Sequence, residues 1–193
     1  ERLVQLAIRE EQMNGHSIAF EKIIHMISII NTIPGAKQRT LGFKLFTVLL
    51  DIYTQSQQGR WMKQYFNKLH VRSMDDLINW ANAPPQNIPD RQKIKKIAVL
   101  SRVTIGADIA ISSIIIQRLR KTFPQAEISS IGDHPTNLML MQGVGADRMH
   151  QLAKHSTSDI THYFSSWKEL VDLANVENYD LIIDPSSRFT QTG

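Results

Sequence analysis

Ile97-Ala98-Val99-Leu100-Ser101-Arg102-Val103-Thr104-Ile105-Gly106-Ala107-Asp108 is the stretch that decides the fold. Four consecutive apolar residues without polar alternation are what a strand buried on both faces requires, and parallel sheets bury their strands in that way. The hydroxyl- and glycine-containing segment from Ser101 to Asp108 predicts a turn. Residues 109–123 predict a helix, with Ile111, Ile114, Ile115 and Leu119 toward the sheet and Arg118, Arg120 and Lys121 toward water. Pro124 closes it. Residues 126–131 read as a second strand ending at Gly132, 137–141 as a short helix, and 148–152 as a third strand. Ser166-Trp167-Lys168-Glu169 has the form of a capping box opening a helix through Ala174. Residues 181–183 are the last strand, broken at Asp184-Pro185. Alternation of β and α at this spacing predicts a parallel, doubly wound sheet.

Upstream the rhythm is helical throughout. Phe20, Ile23, Ile24, Ile27 and Ile30 recur at three- and four-residue spacing, up to Ile33-Pro34-Gly35, where proline and glycine stop a helix. Leu45, Val48, Leu49 and Ile52 form one stripe and Phe46, Leu50 and Tyr53 another, so this helix is expected at the centre of a small bundle. Trp61, Met62, Tyr65, Phe66 and Leu69 predict a further amphipathic helix, and Ser73 with Asp76 a capping box before Met74, Leu77, Ile78 and Trp80. Three prolines within residues 83–90 make a stiff connector. The expected organisation is an all-helical domain over 1–83, a linker over 84–92 and an α/β domain over 93–193.

Composition narrows the function classes. The 193 residues contain no cysteine, which excludes disulfide scaffolds, thiolate metal sites and cysteine nucleophiles. Apolar runs fall well short of the roughly 18 residues of a membrane span, and no signal peptide is visible. A cytoplasmic location, with room for peripheral association with the inner membrane, is expected. The net charge of +4 is spread evenly, with ten Lys/Arg against eight Asp/Glu in 1–90 and twelve against ten in 91–193. Only Arg91, Lys93, Lys95 and Lys96 cluster, as a solvated approach to the first strand, so nucleic acid is not an expected partner.

Ligands of open parallel sheets bind beyond the carboxyl ends of the strands, near the switch in strand order. Two loops occupy such ends: residues 101–108 after the first strand and 184–188 after the last. Gly106 allows close backbone approach, and the following helix start attracts anions. Asp108 reads both as the cap of that helix and as a general base; one carboxylate can do both. Arg102 and Arg188 are candidate clamps for a phosphate or carboxylate. Thr104, Ser186, Ser187 and Asp184 supply polar groups beside them. No G-x-G-x-x-G, Walker or G-x-S-x-G motif is present, and the histidines, His134, His150 and His155 included, lack metal-ligand spacing.

The order of these motifs resembles the heptosyltransferase-like glycosyltransferases, family 9. The resemblance rests on residues 97–100, then Thr104-Ile105-Gly106-Ala107-Asp108, an apolar helix, Arg120-Lys121-Thr122-Phe123-Pro124, a strand at 126–131, and Gly143-Val144-Gly145-Ala146-Asp147-Arg148. It covers roughly 95–188. It implies a Rossmann-like, GT-B N-terminal domain that binds the acceptor of an inverting, metal-independent sugar transfer, with no cofactor. Asp108 would deprotonate the acceptor hydroxyl; in the family the glycine and aspartate are adjacent, whereas Ala107 stands between them here. The nucleotide-sugar donor would bind mainly to a second, C-terminal domain, and the acceptor could be a glycan, lipid or protein. On this reading the chain is a piece of a longer enzyme and does not turn over alone. The alternative is a helical interaction module, with a protein partner, joined to an inactive Rossmann-like ligand-binding domain.

Overall fold

The computed structural model describes residues 2–33, 36–82, 90–101, 108–153 and 158–185. The chain is a mixed α/β protein with a four-stranded parallel sheet. It divides into two compact units: one gathers the described residues of 1–86 and 155–165, the other those of 87–154 and 166–187.

In the second unit, β1 (Lys96–Ser101), β2 (Glu127–Gly132), β3 (Arg148–Gln151) and β4 (Leu181–Ile183) lie in the order β3-β2-β1-β4. All pairings are parallel, with Val99 opposite both Ser130 and Ile183. The continuous apolar run of β1 is explained by its covering. Ile97 and Val99 join Ile116 and Leu119 of α6 (Ser113–Thr122) and Met141 of α7 (Pro135–Gly143) in one cluster. Ala98 and Leu100 face the other way, against Leu170 and Leu173 of α8 (Ile160–Glu177). Side chains alternate across a strand, so both faces of β1 are dry. Helices therefore cover both faces of the sheet.

Two sequence expectations are corrected. The helix after β1 does not begin as an α-helix: Asp108–Ser112 is a π-turn, which carries an extra residue before α6. Within α6 the buried side is the one that carries Ile116 and Leu119, and Ile114 lies roughly opposite it on the same regular helix. Ser112, Ser113, Ile116 and Leu119 are buried, whereas Ile111 and Ile114, expected to face the sheet, are 44% and 55% exposed. The Ser166–Glu169 pattern is not a helix start either, because Ser166 is buried inside α8, six residues beyond its first. The real cap is Asp159, whose carboxylate accepts the His162 N–H at 2.7 Å.

In the first unit the described elements are α1 (Arg2–Asn14), α2 (Ile18–Thr32), α3 (Ala36–Gln55), α4 (Arg60–Lys68), α5 (Met74–Asn82) and the opening of α8. Phe46, Leu49, Leu50 and Tyr53 are essentially inaccessible, and α3 packs against α1, α2, α4 and α5. The Ser73–Asp76 capping box forms in both directions, at 2.9 and 3.1 Å. Residues 158–165, which the sequence places with the sheet, belong to this unit: Tyr163 meets Phe20 edge-on, and Phe164 lies 4.4 Å from the Tyr53 ring. Burial pushes the Tyr53 hydroxyl up to about 12.

Neighbouring carboxylates close this unit. Glu10 accepts from the Ser17 hydroxyl at 2.8 Å and the Ala19 N–H at 3.0 Å, at the start of α2. Glu11 accepts the N–H groups of Ile160 (2.6 Å) and Thr161 (3.1 Å) and the Thr161 hydroxyl, at the start of α8. Helix N-termini leave unpaired N–H groups and a partial positive charge, so each carboxylate meets its complement. Burial pushes the Glu11 carboxyl above its usual range, against the pull of those donors. A raised carboxyl pKa contributes stability below the unfolded value that is lost as pH rises through the folded one. Glu11→Ala is therefore expected to lower stability by about 1–2 kcal/mol in urea unfolding. Glu11→Gln, which keeps an acceptor without the charge, should cost less, and the difference between the two should be read at neutral pH.

Candidate functional site

β1 and β4 are adjacent although they are first and last in the chain, so the strand order reverses between them. Connections from β1 through α6 and α7 progress toward β3 on one side, and the return through α8 brings β4 to the other side of β1. The carboxyl ends of β1 and β4 are thus side by side, and both loops singled out from sequence leave the sheet there. This is the place where a crevice forms in an open parallel sheet.

Of the sequence-predicted residues, Asp108 opens the π-turn directly after the first loop, and Asp184 immediately follows β4. Arg102, Thr104, Gly106, Ser186, Ser187 and Arg188 lie outside the described residues, as does the Asp108 side chain. The turn packs against both β1 and α7. The edge beneath it is built from small groups. Ser101 is 2% exposed, and a Cβ on Gly132 would sit 2.5 Å from the Ser101 carbonyl oxygen. Glycine is required here because the ends of β1 and β2 approach this closely. His134, at the carboxyl end of β2, is exposed and makes no side-chain cap to α7.

The opposite, amino edge holds the charges. Arg120 donates to the carbonyls of Ala126 and Gly145, each at 2.9 Å, and to Asp147 at 2.5 Å. Asp147 in turn accepts the Ile128 N–H at 2.7 Å. Burial disfavours the ionised Asp147, but the Arg120 guanidinium and that N–H outweigh it and hold its carboxyl below the usual range. Lys96 and Arg148 converge on Glu177 at 3.1 and 2.9 Å, and Asp180 accepts the N–H groups of Lys95 and Lys96. Arg120 and Asp147 therefore tie the end of α6 to β2 and to the turn before β3. Both work in holding the sheet, away from the loop edge.

Among the described residues no group of three or more His, Asp or Glu side chains is placed to hold a metal ion. No described helix is long and apolar enough to cross a membrane. Sequence reasoning did not single out a cleft of about 310 Å³ in the helical unit, whose described lining is Glu21, Lys22, Ile24, His25 and Ser28 of α2. Its only sequence signal is the polar side of a helix chosen for its apolar stripe. The chain matches no protein-family model and no curated protein.

Two measurements check this geometry. Gly132→Ala must displace the Ser101 backbone, and thermal unfolding should show a loss of about 1–3 kcal/mol. Asp147, with its depressed pKa, contributes stability above the unfolded carboxyl pKa that disappears as pH falls through the folded one. Acid titration of stability should therefore show a decline below about pH 4 that Asp147→Asn flattens.

Proposed function

We propose that the chain is the acceptor-binding part of an inverting glycosyltransferase, with a Rossmann-like sheet resembling the N-terminal domain of the heptosyltransferase-like family. One observation carries the reading: the order β3-β2-β1-β4 sets the carboxyl ends of β1 and β4 side by side, at the switch in strand order. The π-turn adds a second support. It opens at Asp108 and packs against β1. Such turns recur at functional sites.

In the proposed reaction the Asp108 carboxylate accepts the proton of an acceptor hydroxyl as that oxygen attacks the anomeric carbon. The bond from this carbon to the nucleotide phosphate breaks with inversion, and the nucleotide departs as an anion. Arg102 and Arg188 would hold an anionic group of the acceptor or the departing phosphate, and Thr104, Asp184 and Ser187 would orient hydroxyls. No metal or cofactor takes part. The donor would bind mainly to a further domain.

Exposed apolar side chains favour a second role for the helical unit. Leu3 and Leu6 on α1 and Met26 and Ile29 on α2 are 41–58% exposed. They support its reading as an interaction module for a protein partner.

Asp108→Asn in the complete enzyme should lower kcat by about 10²–10⁴, the range for a lost general base. Sugar transfer at the wild-type rate would leave Asp108 as a cap only.

A further inference from the structure

α3 carries a second apolar stripe that the core of its own unit leaves uncovered. Phe43, Phe46, Leu49, Leu50 and Tyr53 are buried, whereas Leu41 and Val48 stand 51% and 38% exposed, with Leu45 and Ile52 half-buried beside them. The exposure remains although α1, α2, α4 and α5 all pack against α3. Leu41, Leu45, Val48 and Ile52 recur at spacings of four, three and four residues, the a and d positions of a heptad repeat.

The stripe is complementary to itself. A second copy of α3 running the opposite way can set Leu45 opposite Val48 of the partner subunit. Leu41 then meets the partner's Ile52, and each contact occurs twice across a two-fold axis. The same alignment matches the charges. Lys44 and Asp51 hold successive g positions, directly before Leu45 and Ile52, so Lys44 comes beside the partner's Asp51 and Asp51 beside the partner's Lys44. Both side chains are exposed, and neither makes an ion pair among the described residues. Lys37, the g residue one heptad earlier, falls among residues 55–58 of the partner subunit, which carry no charge. On the other flank the e positions are Gly42 and Leu49, both buried, so no charge opposes the contact there. A parallel pair would place g residues beside e residues, here Leu49 and Ser56, and leave Lys44 and Asp51 unmatched.

We infer that α3 is the interface of a homodimer and packs antiparallel on α3 of a second copy, with Leu41, Leu45, Val48 and Ile52 in the seam and a Lys44–Asp51 pair on each side of the two-fold axis. One helix from each copy buries less than a standard interface, so the dimer forms and dissociates with concentration. The inference uses neither the loops of the sheet nor the α1 and α2 side chains named above, so its failure leaves the proposed sugar transfer untouched.

The test is sedimentation equilibrium of the whole chain over a range of concentrations. Dimers should form below about 1 mM, the weak end of specific association. Lys44→Glu alone and Asp51→Lys alone should each weaken dimerisation by about tenfold, because each sets like charges together twice, and the double variant should regain the wild-type constant. Leu41→Ser combined with Val48→Ser should weaken it by about tenfold or more at unchanged charge. All four positions are exposed, so circular dichroism should report an unchanged fold. A chain monomeric up to about 1 mM would overturn the proposal. So would single charge variants that dimerise as the wild type does, a double variant no tighter than the single ones, or full dimerisation by the serine variant.

Discussion

Ile97 and Val99 point to one side of β1, Ala98 and Leu100 to the other, and the covering of the sheet unit follows from that alternation. A strand with two dry faces must be central, so it needs a hydrogen-bonded neighbour on each edge. β2 supplies one, through the nearest crossover. The second has to come from farther along the chain, and β4 supplies it after the chain has passed through β3 and α8. The switch in strand order is therefore a consequence of burying β1. The candidate site inherits its position from the same cause, because the ends of β1 and β4 can only leave the sheet together.

The two edges of the sheet divide the work. At the amino edge, Arg120, Asp147, Lys96, Arg148, Glu177 and Asp180 are engaged in ion pairs or accept backbone N–H groups. Exposed ion pairs contribute little singly, but Arg120 also satisfies two carbonyls and Asp147 a strand N–H, which ties the end of α6 to β2 and to the turn before β3. At the carboxyl edge, the backbones of β1 and β2 come close enough that Gly132 has no room for a Cβ. One edge is fixed by charge and the other by the absence of bulk.

Much of this was legible in the sequence because it depends on local pattern. The run 97–100, the strands at 126–131 and 181–183, and the Ser73–Asp76 capping box are short-range signals, and each appears where the pattern puts it, to within a residue or two. What was not legible is non-local. Glu11 caps a helix 149 residues later, a partnership that no window of sequence contains, and residues 158–165 join the helical unit through it. Ser166–Glu169 satisfies the spacing of a capping box, yet the helix was already under way, started by Asp159 and Glu11. The periodic reading of residues 109–123 chose the wrong face: three isoleucines in a row, Ile114 to Ile116, fit several stripes, and packing on the sheet selects the one through Ile116 and Leu119.

Arg120 and Asp147 stand 27 residues apart, and no local pattern announces their pairing. Arg120 also meets the carbonyls of Ala126 and Gly145, so the end of α6 is tied to β2 and to the turn before β3. With that end fixed, the face that α6 turns to the sheet is fixed as well. Ile116 and Leu119, three residues apart on a regular helix, lie on one side of it and pack against β1. Ile114 lies on roughly the opposite side of the same turns and is 55% exposed, so its exposure is the consequence of burying Ile116 and Leu119.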